Sequence, residues 1–291
     1  MTEENKSVAG NSCKIIMPTG DKKSLEEIER SIVKTYRKST WSKFVRAISD
    51  YELVKDGDKI AVGISGGKDS LIMAKLFQEL KRQKVIKVEL EFLAMDPGYH
   101  PDIKELLIDN CKHLDIPIHH YDSGIFGVLD EIAQDKPCYM CARMRRGALY
   151  RKAEELGCNK LALGHHFNDV IETTMLNILY SANYGTMIPK LKADNYKNME
   201  LIRPMYYIHE KDIIRFIRNT GLTPLNCACM VAAKETSGKR QEIKELIENL
   251  KKTHENVDMS IFRSAGNVNM GSVIGWQKDG EKHSFLDDYN K

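Results

Sequence analysis

The chain has 291 residues, 42% apolar and 29% charged, enough for one large domain or a core with additions. Its 44 Lys and Arg against 41 Asp and Glu leave a formal charge of +3, which neither demands nor excludes nucleic acid. No apolar run approaches the ~20 residues of a membrane helix, and the N-terminus carries no apolar signal-peptide core, so the expectation is a cytoplasmic protein with no membrane partner. Seven cysteines (Cys13, Cys111, Cys138, Cys141, Cys158, Cys227, Cys229) in such a chain point to metal or sulfur chemistry rather than disulfides.

Residues 1–22 are polar without a sustained period and read as a mobile arm. A helix is expected over 24–50, with Ser24 as its cap, Glu27 completing a capping box, and Ile28, Ile32 and Tyr36 on one face. The Asp56-Gly57-Asp58 turn feeds a buried strand, Ile60–Ile64, and Ser65-Gly66-Gly67-Lys68-Asp69-Ser70 follows directly. Further strands are expected at 88–95, 116–121, 160–163 and 199–202. Helical patterns fall at 69–82, 102–114, 142–156, 168–181, 209–220 and 239–252, and the signal fades from Thr253. Strands alternating with helices predict an α/β fold with a parallel, Rossmann-like sheet, helices on both faces and helical additions at both ends. Ligands then belong at the carboxyl ends of the strands, where Ser65, Asp96 and Gly164 stand.

The stretch 65–70 is the most informative of the chain. A strand, a glycine turn and a helix N-terminus converge on an anion site, because free N–H groups and the helix dipole point at one spot. Gly66 and Gly67 let the backbone approach phosphate oxygens. Lys68 adds a point charge, Ser65 and Ser70 add hydroxyl donors, and Asp69 is expected to cap the helix or to help hold a metal ion. The spacing differs from G-x-x-x-x-G-K-[ST]. It resembles instead the pyrophosphatase (PP) loop of adenylating enzymes that split ATP between its α- and β-phosphates. Past the fourth strand, Gly164 gives a nucleotide room at the strand end. Asp169 suits Mg²⁺ binding or acid–base work, and one of His165 and His166 suits core packing.

Pro137-Cys138-Tyr139-Met140-Cys141 is a C-x-x-C that opens a helix, and Cys227-Ala228-Cys229 lies far along the chain. Zinc, a redox pair, an iron–sulfur cluster and incidental thiols are all readings of one C-x-x-C. Two thiol pairs could close a Cys₄ zinc site, and three thiols from two segments could hold a [4Fe–4S] cluster with one iron open. From Lys136 to Lys152 there are six cations and no acid. Such a face is either merely solvated or suited to a polyanion such as RNA.

These residues together resemble the tRNA 2-thiocytidine synthetases, from about Ile48 to the mid-270s. The resemblance rests on Val54–Ile60 leading into the Ser-Gly-Gly-Lys-Asp-Ser loop, on Pro137-Cys138-x-x-Cys141-Ala142-Arg143-Met144-Arg145-Arg146-Gly147, and on Leu163-Gly164-His165-His166-x-x-Asp169. It continues in Ile202-Arg203-Pro204-Met205 and Glu210-Lys211-Asp212-Ile213. It implies a PP-loop domain over 23–252, between the arm and a tail over 253–291. It implies an ATP-dependent sulfurtransferase with a [4Fe–4S] cluster on Cys138, Cys141 and Cys227. ATP and Mg²⁺ would be bound by Ser65, Gly66, Gly67, Lys68, Asp69, Ser70, Ala94, Gly164 and Asp169. Lys68, Asp69, Arg145 and Asp169 would be catalytic, and Arg143, Arg145 and Arg146 would bind tRNA. The substrate would be cytidine 32 of the anticodon loop, adenylated at its C2 carbonyl and then attacked by sulfide from a donor such as a cysteine desulfurase. A homodimer is compatible with this plan.

The family's distal pair is usually C-x-x-C, whereas here it is C-x-C, which leaves the role of Cys229 open. Relatives that thiolate uridine share the loop and the three-cysteine plan but carry extra zinc-binding pairs that this chain lacks. A lysidine-type ligase and a non-catalytic cluster-binding RNA protein are the alternatives from other classes. The first leaves the three cysteines without a task, and the second predicts no pyrophosphate release.

Overall fold

The computed structural model describes residues 18, 20–123, 137–225 and 236–289, without the side chains of 137–142, 236–237 and 288. The cysteine expectations therefore fall outside the described side chains, as does most of the expected arm.

A capping box opens α1 (Leu25–Val33): Glu27 N donates to Ser24 Oγ at 3.3 Å and Ser24 N to Glu27 Oε2 at 3.0 Å. The single helix expected over 24–50 is in fact broken. A five-residue π-helical turn, Arg37–Trp41, separates α1 from α2 (Ser42–Asp50). The Thr40 hydroxyl donates to the Tyr36 carbonyl at 2.9 Å, and Tyr36 N reaches back five residues to the Ser31 carbonyl. The side-chain bond and the wider ring shift the register that a uniform 3.6-residue period assumes.

The sheet contains β1 (Lys59–Gly63), β2 (Glu89–Asp96), β3 (Ile118–Asp122), β4 (Lys160–Ala162), β5 (Lys190–Lys192) and β6 (Glu200–Ile202), in the order β3-β2-β1-β4-β6-β5. All neighbours are parallel except β5 and β6. β5 escaped the sequence reading: an edge strand of three residues, Lys190-Leu191-Lys192, is too short to show a strand period. The crossover helices are α3 (Lys68–Gln83), α4 (Pro101–His113), α5 (Pro137–Glu155) and α6 (Phe167–Ser181), and α7 (Glu210–Thr220) follows the sheet. α5 begins five residues before the helical pattern at 142, with the C-x-x-C in its first turns.

Helices cover both faces. On one, Ile60, Val62 and Ala94 pack with Phe44, Ile72, Phe77, Leu107 and Phe216. On the other, Ala61, Leu93 and Leu161 pack with Ala153 of α5. The alternation along β1 is what divides its residues between the two layers. Of the charged side chains buried among the described residues, Lys75 is the most enclosed: it is 1% exposed, and its ammonium donates to Glu29 of α1 at 2.7 Å and to the Leu114 carbonyl at 2.9 Å.

Packing continues beyond residue 252. α8 (Thr236–Thr253) places Ile243 and Ile247 against Phe167 and Ile171 of α6. α9 (Val257–Ser264) stacks Phe262 on Phe167, with ring centroids 4.9 Å apart. The segment where the sequence signal fades thus includes a docked helix. It also forms a hairpin, β7 (Gly275–Lys278) and β8 (Glu281–Ser284), turning on Asp279 and Gly280 at φ 53° and 85°. Asp-Gly is the residue pair such a two-residue turn favours.

Candidate active site

Chain order reverses between β1 and β4, and the crevice beyond their carboxyl ends holds the candidate site. Gly66 has φ +77°, and a Cβ there would come within 2.6 Å of Leu225 Cδ1 and 2.8 Å of Leu107 Cδ1. Leu225 N donates to the Gly66 carbonyl at 2.9 Å, so the segment leading to Cys227 is tied to the loop by its backbone. Gly67 is the N-cap of α3. Ser70 Oγ donates to the Gly67 carbonyl at 2.9 Å and accepts from Ser65 N at 3.2 Å. The two serines therefore shape the turn while the helix N-terminus stays open toward the crevice.

The capping half of the Asp69 expectation is corrected: no side chain caps α3, because glycine supplies the extended N-cap conformation by itself. Asp69 Oδ2 accepts from Lys68 Nζ at 2.9 Å, while its buried Oδ1 accepts no hydrogen bond. Lys68 also meets Glu210 Oε1 at 3.4 Å. Burial pulls the Lys68 pKa down, but Asp69, Glu210 and Asp169 outweigh it and the net shift is upward. The loop lysine is held as a cation, already paired.

From the other side come Gly164, His166 and Asp169. A Cβ on Gly164 would sit 3.3 Å from the Asp69 backbone, so glycine lets β4 close against the start of α3. His166, 4% exposed, stands between two carboxylates: Nε2 is 3.6 Å from Asp69 Oδ1, and Nδ1 is 3.4 Å from Asp169 Oδ2. Asp169 Oδ2 accepts from His166 N at 2.9 Å, and Oδ1 lies 3.3 Å from Arg240 Nη2. Burial raises the Asp169 pKa, but His166, Arg240 and His165 hold it down at about 2. Burial chiefly drives His165 down to about 4, which leaves it neutral at neutral pH. Arg240 also donates to Glu172 at 2.8 Å, and Lys244 donates to Glu210 at 2.6 Å. α8 is thus bridged to both halves of the site.

Ala94 is fully buried among the core side chains of β2. Asp96, two residues on, closes β2 at its carboxyl end. Its Oδ1 accepts from Gly98 N and Tyr99 N at 2.9 and 2.7 Å. On α5, Arg143 and Arg146 are exposed and Arg145 is half-buried. The sequence reading gave no role to Glu172, Arg203, Glu210, Arg240 and Lys244, and it read His166 only as one of two candidates for core packing. Glu210 and Arg203 lay in the quoted motifs, but nothing in sequence separation tells that Glu210 reaches Lys68. The period of α8 could have shown that Arg240 and Lys244 share a face.

The donor set suits a nucleotide with its metal. Among the described residues no group of three or more His, Cys, Asp or Glu side chains is arranged to hold a metal ion alone. An ion on Asp69 Oδ1 and Asp169 would complete its shell with phosphate oxygens, the usual habit of Mg²⁺. Thiols suit an iron–sulfur cluster, and Cys138 and Cys141 stand about one turn apart in the opening of α5.

The model of the PP-loop domain family matches residues 36–225. The tRNA-cytidine(32) 2-sulfurtransferase of Pelobacter propionicus is 35% identical over 237 residues, covering 81% of this chain and 87% of the relative. That of Geotalea daltonii is 36% identical over 225 residues, covering 77% and 88%. Among solved structures, the U34-tRNA thiolase NcsA from Methanococcus maripaludis, with its [4Fe–4S] cluster, superposes with a TM-score of 0.62. It is 26% identical, with 77% of this chain and 76% of that chain covered.

Proposed function

The chain belongs to the tRNA-cytidine(32) 2-sulfurtransferase family of PP-loop proteins, and from that membership we propose that it is an ATP-dependent enzyme that replaces the C2 oxygen of cytidine 32 in tRNA with sulfur. The observation that carries this reading is the hydrogen bond from Leu225 N to the Gly66 carbonyl. That bond ties the described end of the segment before position 227 to the nucleotide loop, and two residues span at most about 7 Å. On the proposed reading, thiol chemistry and ATP chemistry share one site, which neither a simple ligase nor a distant structural metal requires.

The open N-terminus of α3 and Lys68 receive the β- and γ-phosphates. Asp69 and Asp169 would hold Mg²⁺, which would supply further charge to the phosphates, and His166 stands between the two carboxylates. The C2 carbonyl oxygen attacks the α-phosphate, the bond to pyrophosphate breaks, and Lys68 balances the charge that develops on the leaving oxygens. A carbonyl oxygen becomes part of AMP, a far better leaving group, and sulfide displaces it. Arg145, half-buried four residues beyond Cys141, orients the base from α5. Arg143 and Arg146 hold the RNA backbone. Cys138, Cys141 and Cys227 would hold the [4Fe–4S] cluster, which when bound would supply an iron site able to carry sulfide. The sulfide comes from a separate donor such as a cysteine desulfurase, and the reaction takes place in the cytoplasm.

The test is a reaction of anaerobically reconstituted protein with ATP, Mg²⁺, sulfide and unmodified tRNA. One 2-thiocytidine at position 32 and one pyrophosphate per turnover are expected by mass spectrometry and a coupled assay. Thiouridine at position 34 as the product would move the chain to the uridine branch. Full activity in zinc-loaded protein without iron would remove the cluster.

A further inference from the structure

Arg203 directly follows β6, beside the strand end that carries Gly164 and His165. It is 7% exposed. Its Nη1 donates to the Ile188 carbonyl, and its buried Nε has no hydrogen-bond partner. Burial, and after it the charge of Arg146, lower its pKa to about 10, so the guanidinium stays charged at neutral pH. The carboxylate that pulls the other way, Asp169, is already engaged by His166 N and Arg240. A buried guanidinium normally lies against a carboxylate that offsets its desolvation. Here its strongest charged neighbour is another cation. His165 Nδ1, also buried and without a hydrogen-bond partner, adds a neutral polar edge at the same end of the sheet.

We propose that Arg203, with Arg146 of α5, is an anion seat for a phosphodiester of the RNA strand flanking the reacting base. This rests on the sulfurtransferase reading. The seat continues the basic face of α5 rather than the nucleotide loop. Arg146 is exposed beside it. One turn on, Tyr150 stacks on Tyr196 with centroids 5.1 Å apart, and the Tyr196 hydroxyl donates to the Gly147 carbonyl at 3.1 Å. These contacts fix the loop before β6 to the basic helix. The loop phosphates have their own donors at the start of α3, whereas a polynucleotide crossing from α5 to the crevice passes Arg146 and Arg203.

The experiment compares wild type with Arg203→Gln in equilibrium binding of an unmodified tRNA transcript across salt concentrations, in Mg-ATP binding, and in thermal unfolding. Removing a charge-assisted phosphate contact should weaken tRNA binding roughly tenfold to a hundredfold and reduce the salt slope by about one. Mg-ATP affinity should change far less, and Tm should hold or rise because a poorly compensated buried charge is gone. Arg203→Lys should restore most of the slope. A lower Tm with unchanged tRNA affinity and slope would make Arg203 a brace for the Ile188 carbonyl and overturn the seat. A larger loss for Mg-ATP than for tRNA would assign the anion to the nucleotide and overturn it equally. If Arg203→Gln does not fold, the similarly sized Arg203→Met decides: a slope reduced by about one supports the seat, and an unchanged slope overturns it. Wild type that binds tRNA but forms no 2-thiocytidine would defeat the sulfurtransferase reading, and the slopes would still judge the seat.

Discussion

The two charged regions at the ligand edge of the sheet are built in opposite ways. Around Lys68 every described charge is interlocked: Lys68 with Asp69 and Glu210, Glu210 with Lys244, Asp169 with Arg240, and Arg240 with Glu172. Along α5 and at Arg203 cations gather, without an acid between Lys136 and Lys152. The first region holds its geometry before a ligand arrives, and the ligand must exchange partners with it. The second has more cations than acids along its sequence, and on the proposed reading a polyanion meets them. On that reading, pairing serves the chemistry and the cation-rich face serves capture.

That contrast breaks most sharply at Lys68. Lys68→Ala should lower thiolation by a factor on the order of 10³, the scale for losing charge stabilisation in a transition state, while tRNA affinity and iron content stay near wild type. Equal losses of turnover and tRNA affinity would mean that the two regions are not separate. Cys227→Ala should lose most of the iron, about four atoms per chain in the wild type, whereas Cys229→Ala should keep at least part of its activity. Iron lost only from Cys229→Ala would shift the ligand to that position. A triple change of Arg143, Arg145 and Arg146 to Ala should weaken tRNA binding and reduce the salt slope by about two to three, leaving Mg-ATP binding in place. An unchanged slope would make α5 a solvated face.

The smallest effect is on stability against pH. Burial lowers His165 and His209 from 6.5 to about 4. A depressed folded-state pKa means that the folded protein binds the proton less well than the unfolded chain. The stability these sites contribute is complete above about pH 6.5 and is lost as pH falls toward 4. Tm should fall across that window, and His165→Asn should flatten the fall. A Tm that is flat from pH 7 to 4.5 would show that neither imidazole is desolvated.

The sequence displayed the loop side of this site well because its information is local. Gly66, Gly67 and Lys68 follow a buried strand at once, and the capping box at Ser24 needs only four residues. What stayed hidden was made by distance in the chain. Glu210 meets Lys68 and Arg240 meets Asp169 only because α7 and α8 return to the strand ends. Arg203 was visible in its motif, but its burial was not, since nothing in Ile-Arg-Pro-Met states what covers the guanidinium. The hairpin at 275–284 was legible in Asp279-Gly280 and was missed because its flanking strands bury almost nothing.

The family domain matched over 36–225 leaves out a segment that packs into the core of this chain. The pair between Lys75 and Glu29 crosses its N-terminal limit. A fragment starting at residue 36 would leave the Lys75 ammonium in the core with one carbonyl for company. It would also uncover the pockets that Ile28 and Ile32 fill. Trimming to the common core would therefore place a naked charge in the interior, a penalty of several kcal/mol against a total stability of about 5–15 kcal/mol. Helix α1 is in this respect the counter-ion of the fold, and a swap of catalytic cores between relatives would have to carry it along.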